Sequence, residues 1–137
     1  LIEKKLTSKQ IVVINADIIS QLDFVQLLNF HKNNFNKITI CTKEYSFQIP
    51  FGVVNAINGD VKSLEEKPVK LFNINAGIYV IDSSLLKNLD GKKHIDMTQF
   101  IGHMKEKKIK ISTFPIYEDW DDVGSKVDLE RIKEKHS

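Results

Sequence analysis

The sequence has 137 residues and a formal net charge of +2, with hydrophobic residues at 42% and charged residues at 28%. That length suits one ordinary core, so one domain and no independent second module are expected within it. The basic residues are almost all lysine, Arg131 being the only arginine, and they alternate with glutamate in EEKPVK and KEKKIK. A nucleic-acid reader gathers its basic residues on one face and favours arginine for base contacts, so no nucleic-acid partner is expected.

No apolar run approaches the ~18 residues of a membrane span, and LIEKKLTSKQ lacks the apolar core of a signal peptide, so no membrane partner and a cytoplasmic location are expected. Position 1 is Leu rather than Met, which leaves open a cut from something longer, or a lost leader. Cys41 is the single cysteine. It excludes an internal disulfide or a multi-cysteine zinc site, and within KITICTKEY it reads as a strand residue rather than a nucleophile.

In chain order, QIVVIN (10–15) is a buried strand that runs into Asn15, Ala16 and Asp17. DFVQLLNFHKNN places Phe24, Leu27, Leu28 and His31 at helical spacing, with Asp23 and Gln26 as a capping box. KITICT (37–42) is the next strand, and strand, helix and strand within about thirty-five residues suggest a βαβ unit with a parallel sheet. In FGVVNAINGDVKSLEEKP two strand-like runs flank Asn58-Gly59, a strong two-residue hairpin signal.

NINAGIYVID (73–82) is an apolar strand interrupted by Ala76 and Gly77, and a strand glycine implies a bend or a close approach. DMTQFIGHMKEK sets Met97, Phe100, Ile101 and Met104 at helical spacing behind Asp96 as N-cap, with His103 a structural or solvent-facing residue. IKISTFPI is a further strand, DWDDVGS a tight polar turn, and SKVDLERIKEKHS a charged terminal helix. The chain has no repeat, low-complexity tract or linker.

A carboxylate at the end of an apolar strand can simply start a turn, and Asp17 fits that reading. NAD (15–17) and WDDVG (120–124) are nevertheless the two places where acids sit beside strand ends, and open α/β sheets collect ligands at the carboxyl ends of their strands. Two carboxylates with open positions suit Mg²⁺, which keeps several waters and is completed by substrate phosphates. Two acids in unrelated turns is the competing reading. In EEKP, Glu66 and Lys67 set an acid and a base side by side before a proline that can turn both toward a cleft; solvated surface is the alternative.

The ordered set NADI, FGVV, SLEEKP, NAGIYV and WDDVG resembles the sugar-1-phosphate nucleotidyltransferases, over roughly residues 10 to 131. The resemblance implies a Rossmann-like three-layer α/β/α fold, here incomplete, with a mixed, mostly parallel sheet and a β-hairpin insertion. It implies transfer of a nucleoside monophosphate from a nucleoside triphosphate to a hexose 1-phosphate, releasing pyrophosphate. On this resemblance Asp17 and Asp122 would be the Mg²⁺ ligands, and Asp17, Lys67 and Asp122 the catalytic set. Gly52 would let the backbone approach the sugar, Glu66 would bind its hydroxyls and Lys67 its phosphate, and Asn75 and Gly77 would complete the pocket. The chemistry suits these residue types, since a metal and an ammonium offset charge on phosphoryl oxygens without a covalent intermediate.

Many family members have Gly where this chain has Ala16. The family's opening glycine-rich loop, of the form G-G-x-G-x-R-L-x-P-L, is absent from the 137 residues, so 1–137 is expected to be the C-terminal part of one catalytic domain, inactive alone and open to homodimerisation through uncovered apolar surface. GTP is the weakly favoured nucleotide, from the likeness of EYSFQIPFGVV to the mannose-1-phosphate guanylyltransferase-like branch. Two other readings stand beside this one. One is a metal-dependent glycosyltransferase, which usually shows Asp-x-Asp where this chain has NAD. The other is a degenerate sugar-phosphate sensor.

Overall fold

The computed structural model describes residues 9–87, 89, 91 and 94–124. The first strand, β1 (Gln10–Ile14), is followed by a turn and a short β2 (Ile18–Ser20), and then by α1 (Phe24–Asn33). Asp23 caps α1, its Oδ1 accepting from the N–H groups of Val25 and Gln26. A long β3 (Ile38–Gln48) leads to the hairpin of β4 (Val53–Ile57) and β5 (Asp60–Glu65), and the chain returns along β6 (Val69–Asp82). A 3-10 turn (Ser83–Leu86), helix α2 (Met97–Glu106), β7 (Ile111–Pro115) and β8 (Trp120–Asp122) complete the described elements. Asp96 caps α2 through Oδ1 and the N–H of Gln99 at 2.8 Å.

The main sheet has the order β1-β6-β3-β7. β1, β3 and β7 run the same way and β6 runs against them, so β1·β6 and β3·β6 are antiparallel and β3·β7 is parallel. The sheet is mixed, as expected, but most of its hydrogen-bonded neighbours are not parallel. β1 and β3, the two strands of the expected βαβ unit, do not pair, because β6 lies between them. The cause is the apolar run of β6, whose two buried faces suit a central strand better than an edge.

Alternation along β6 supplies both halves of the core. Ala76, Ile78 and Val80 pack with Leu22, Leu27, Cys41 and Ile116, against the α1 side chains Phe24 and Leu28. Tyr79 and Ile81 pack with Ile38, Phe100 and Met104, against Met97 and Ile101 of α2. Among the described residues, α1 on one face of the sheet and α2 on the other give the three layers expected.

The Asn58-Gly59 turn forms as the sequence predicts, with φ of 51° and 85°, the paired positive values of a type I′ hairpin. The terminal helix expected from SKVDLERIKEKHS, and Arg131, lie outside the described residues. No helix among the described residues is long and apolar enough to cross a membrane.

Candidate functional site

The expected polar turn DWDDVGS contains a strand instead. β8 pairs antiparallel with β2, setting Ile18 opposite Asp122 and Ser20 opposite Trp120. The ladder is extended by the N–H of Val123, which donates to the backbone oxygen of Asp17 at 2.8 Å. Neither strand signalled itself in the sequence, each having three residues, but together they carry the two acids to one place.

A Cβ built on Gly124 would stand 3.1 Å from Asp122 Oδ1 and 4.0 Å from Asp17 Oδ2. The two carboxylates therefore lie no more than about 7 Å apart, within the span of one hydrated ion with ~2 Å ligand bonds. Both residues are exposed. Asp122 Oδ1 accepts from the N–H of Gly124 at 2.9 Å, and neither acid is ion-paired among the described residues. Two hard oxygen donors open to water fit Mg²⁺ well, whereas a closed cage of three or more His, Cys, Asp or Glu is absent among the described residues.

The acid pair is fastened to the sheet through Gly77. The N–H of Asn15 donates to Gly77 O at 2.8 Å, and the N–H of Gly77 donates to Asn75 Oδ1 at 3.0 Å. Asn75 Nδ2 donates to the Tyr79 hydroxyl at 2.7 Å, so each end of its amide already holds a neighbour in β6. Gly77 has φ +69°, and a Cβ there would meet Asn15 Nδ2 at 2.8 Å and Ile18 Cγ1 at 3.0 Å. Both the backbone bend and the close approach implied by a strand glycine are present.

Trp120 Nε1 donates to Ala76 O at 2.8 Å, tying β8 to the bend. Sequence reasoning passed over Asn15 and Trp120 as site residues. Their signal was position alone, Asn15 two before one acid and Trp120 two before the other.

The hairpin gathers a second group. Gly52 lies against Glu66, whose Oε2 would be 3.4 Å from a Cβ on the glycine. Lys67 has φ 43°, and its backbone oxygen accepts from Gln48 Nε2 at 3.3 Å where the chain turns toward β6. Gly52, Glu66 and Lys67 are all exposed. Among the described residues, no strand pairing joins this group to the acid pair, and Val69 and Gly77 are separated by about 26 Å of extended strand.

Cys41 sits fully buried in β3. Burial pushes its thiol up to about 12, with the Glu118 charge adding to the rise, which removes it as a nucleophile. His103 is exposed on α2, as expected.

The chain matches the nucleotidyl transferase family profile over residues 1–137. It is 34% identical over 118 residues to the "Probable mannose-1-phosphate guanylyltransferase 3" of Oryza sativa subsp. japonica, covering 82% of this chain and 32% of that protein. It is 30% identical over 126 residues to the "Glucose-1-phosphate adenylyltransferase" of Mycoplasma mobile, covering 83% of this chain and 33% of that protein. The chain thus spans about a third of the curated relatives it matches. Among solved structures, HddC from Yersinia pseudotuberculosis superposes with a TM-score of 0.65 at 18% identity, over 96% of this chain and 57% of that one.

Proposed function

Because the chain belongs to the nucleotidyl transferase family, we propose that it supplies the metal and sugar-phosphate residues of an enzyme that joins a nucleoside monophosphate to a hexose 1-phosphate. The single observation that carries this reading is the meeting of Asp17 and Asp122 beside Gly124. Mannose 1-phosphate and GTP are the favoured pair, in keeping with the names of several relatives.

In this reading the sugar phosphate attacks the α-phosphorus in line and pyrophosphate leaves. The nucleophile is already an anion at neutral pH, so no general base is required, which agrees with a buried, protonated Cys41. Asp17 and Asp122 would hold Mg²⁺, whose charge offsets that on the phosphoryl oxygens. Gly77 and Asn75 would complete the sugar pocket beside the acids, and the bond from Trp120 Nε1 to Ala76 O holds β8 to the bend. Glu66 binds ring hydroxyls and Lys67 the sugar phosphate, a point charge on an anion, with Gly52 giving the sugar close access to backbone. These three act at the acid pair only when the hairpin leans over that end of the sheet.

The test uses the complete protein, with GTP, mannose 1-phosphate and Mg²⁺, read by pyrophosphate release. Asp17→Asn and Asp122→Asn should each lower kcat by roughly 10²-fold or more with an unchanged melting curve. Lys67→Ala should raise KM for the sugar phosphate more than it lowers kcat. Nucleotide-sugar hydrolysis without pyrophosphate release would favour a glycosyltransferase instead. The family's glycine-rich loop is not within the 137 residues, and triphosphate positioning supplies much of the rate in phosphoryl transfer. The 137-residue chain alone should therefore release no pyrophosphate.

A further inference from the structure

At the Asp82 end of β6, an open cavity of about 560 Å³ lies beside the start of β3, a size ordinary for small-molecule sites. Three lysines from three segments line it: Lys9 before β1, Lys32 in the last turn of α1 and Lys37 before β3. The carboxylate present is Asp82, already held by Lys37 Nζ at 2.7 Å and the N–H of Ser84 at 2.9 Å. Lys9 and Lys32 have no ion pair among the described residues. His31 forms part of the wall, with Nδ1 bonded to Thr39 Oγ1 at 2.8 Å, and its burial favours the neutral ring. The wall is therefore positive.

Phe35 lines the same cavity. It occupies the position just past the α1 C-cap, with its N–H donating to Lys32 O and the N–H of Asn36 to His31 O, the paired bonds of a Schellman ending. That position calls for glycine, yet Phe35 holds φ 53° and is 85% exposed. The backbone strain of a bulky residue there is offset neither by local preference nor by core packing.

We propose that this cavity binds a nucleoside mono- or diphosphate, the base stacked on Phe35 and the phosphates set among Lys9, Lys32 and Lys37. Aromatic faces stack any base, and ammonium groups meet phosphate as point charges. Gly77 and Asp82 lie five residues apart in β6, about 16 Å, so this site is separate from the acid pair and its ligand is an effector rather than a substrate. The inference does not rest on the metal reading.

The test is an amide NMR titration of the ¹⁵N-labelled chain in EDTA, with GDP, inorganic phosphate and guanosine as separate probes. GDP should shift the amides of residues 32–37 and 82 saturably, and phosphate and guanosine should each bind roughly tenfold or more weakly than GDP. Phe35→Gly should weaken GDP roughly tenfold while the melting temperature holds or rises, because glycine relieves the strain. Phe35→Leu should weaken it similarly, and Lys9→Ala with Lys32→Ala should do so with the amides near Asp17 undisturbed. Shifts confined to the Asp17–Asp122 end, unchanged GDP affinity in these variants, or inorganic phosphate binding as tightly as GDP would each overturn the proposal.

Discussion

The two halves of β6 share one backbone and meet different surroundings. Ala76, Ile78, Tyr79, Val80 and Ile81 are each at most 1% exposed, whereas Val69, Leu71 and Phe72 are each more than half exposed. The acid pair is tied to the buried half through Asn15, Gly77, Ala76 and Trp120. The hairpin residues Gly52, Glu66 and Lys67 stand at the end of the exposed half, where no helix among the described residues covers the ribbon. A metal site needs fixed ligands, and a sugar subsite can adapt. On the reading proposed here, each half is matched to its task.

Two glycines test that contrast most severely. Gly77→Ala puts a Cβ 2.8 Å from Asn15 Nδ2 in a backbone conformation alanine resists, and should cost about 2–4 kcal/mol, combining strain and overpacking. Gly52 has no positive φ, and its nearest atom is the flexible end of Glu66 at 3.4 Å. Gly52→Ala should therefore change stability by less than about 0.5 kcal/mol. Urea melts of both variants decide the matter, and equal losses would show that the ribbon is as rigid as the core.

Next in size is Trp120→Phe, which keeps the ring's bulk and removes the bond to Ala76 O. A lost hydrogen bond of this kind costs about 1 kcal/mol. Because β8 also carries Asp122, the complete protein should, on the proposed reading, lose pyrophosphate release beyond what the stability change explains. An enzyme with wild-type kcat and a raised apparent metal requirement would place the effect in metal binding, and no change in either would detach Trp120 from the site.

Much of this was legible in sequence wherever period and cap agreed. The spacing of Leu27 and His31 behind Asp23 marks α1, Phe100 and Met104 behind Asp96 mark α2, and Asn58-Gly59 marks the hairpin. Less legible was which strands become neighbours, because local period carries no partner information and only β6's two-sided burial puts it between β1 and β3. The short β2 and β8 gave no signal because three residues cannot establish a period. Asp17 was identifiable from its place after an apolar run and WDDVG as a second acidic place, whereas Asp122 itself was singled out by the family resemblance and the meeting of the two depends on that unsignalled pairing. Nor could the sequence show that Asn75 spends its amide on Gly77 and Tyr79.

On the exposed half, the expected effect concerns association rather than stability. Tyr45 lies opposite Phe72 on β3 and β6, with Phe47 on the same face, and all three are about half exposed. Apolar rows of this kind favour contact with another chain. Phe47→Lys should leave the melting temperature within a degree or two, since little buried area is lost, and should lower any self-association seen in sedimentation. An oligomer insensitive to Phe47→Lys would move the contact elsewhere.

The smallest effect belongs to the last residue of β6. Burial alone would raise the Asp82 carboxyl, but hydrogen bonds from Lys37 and Ser84, together with the Lys37 charge, outweigh it and hold the group at about 2. A folded-state value below the unfolded one stabilises the fold at pH above the ordinary carboxylate range. That contribution is lost as pH falls from about 4 through 2. Lys37 is nearly half exposed, so solvent screening keeps it under about 1 kcal/mol. Lys37→Met should flatten the stability curve between pH 5 and 2 by about that amount and leave the neutral-pH acid pair untouched. An unaltered acid limb in Lys37→Met would mean that the Ser84 N–H bond suffices to hold Asp82, leaving this end of the buried half fixed by backbone alone.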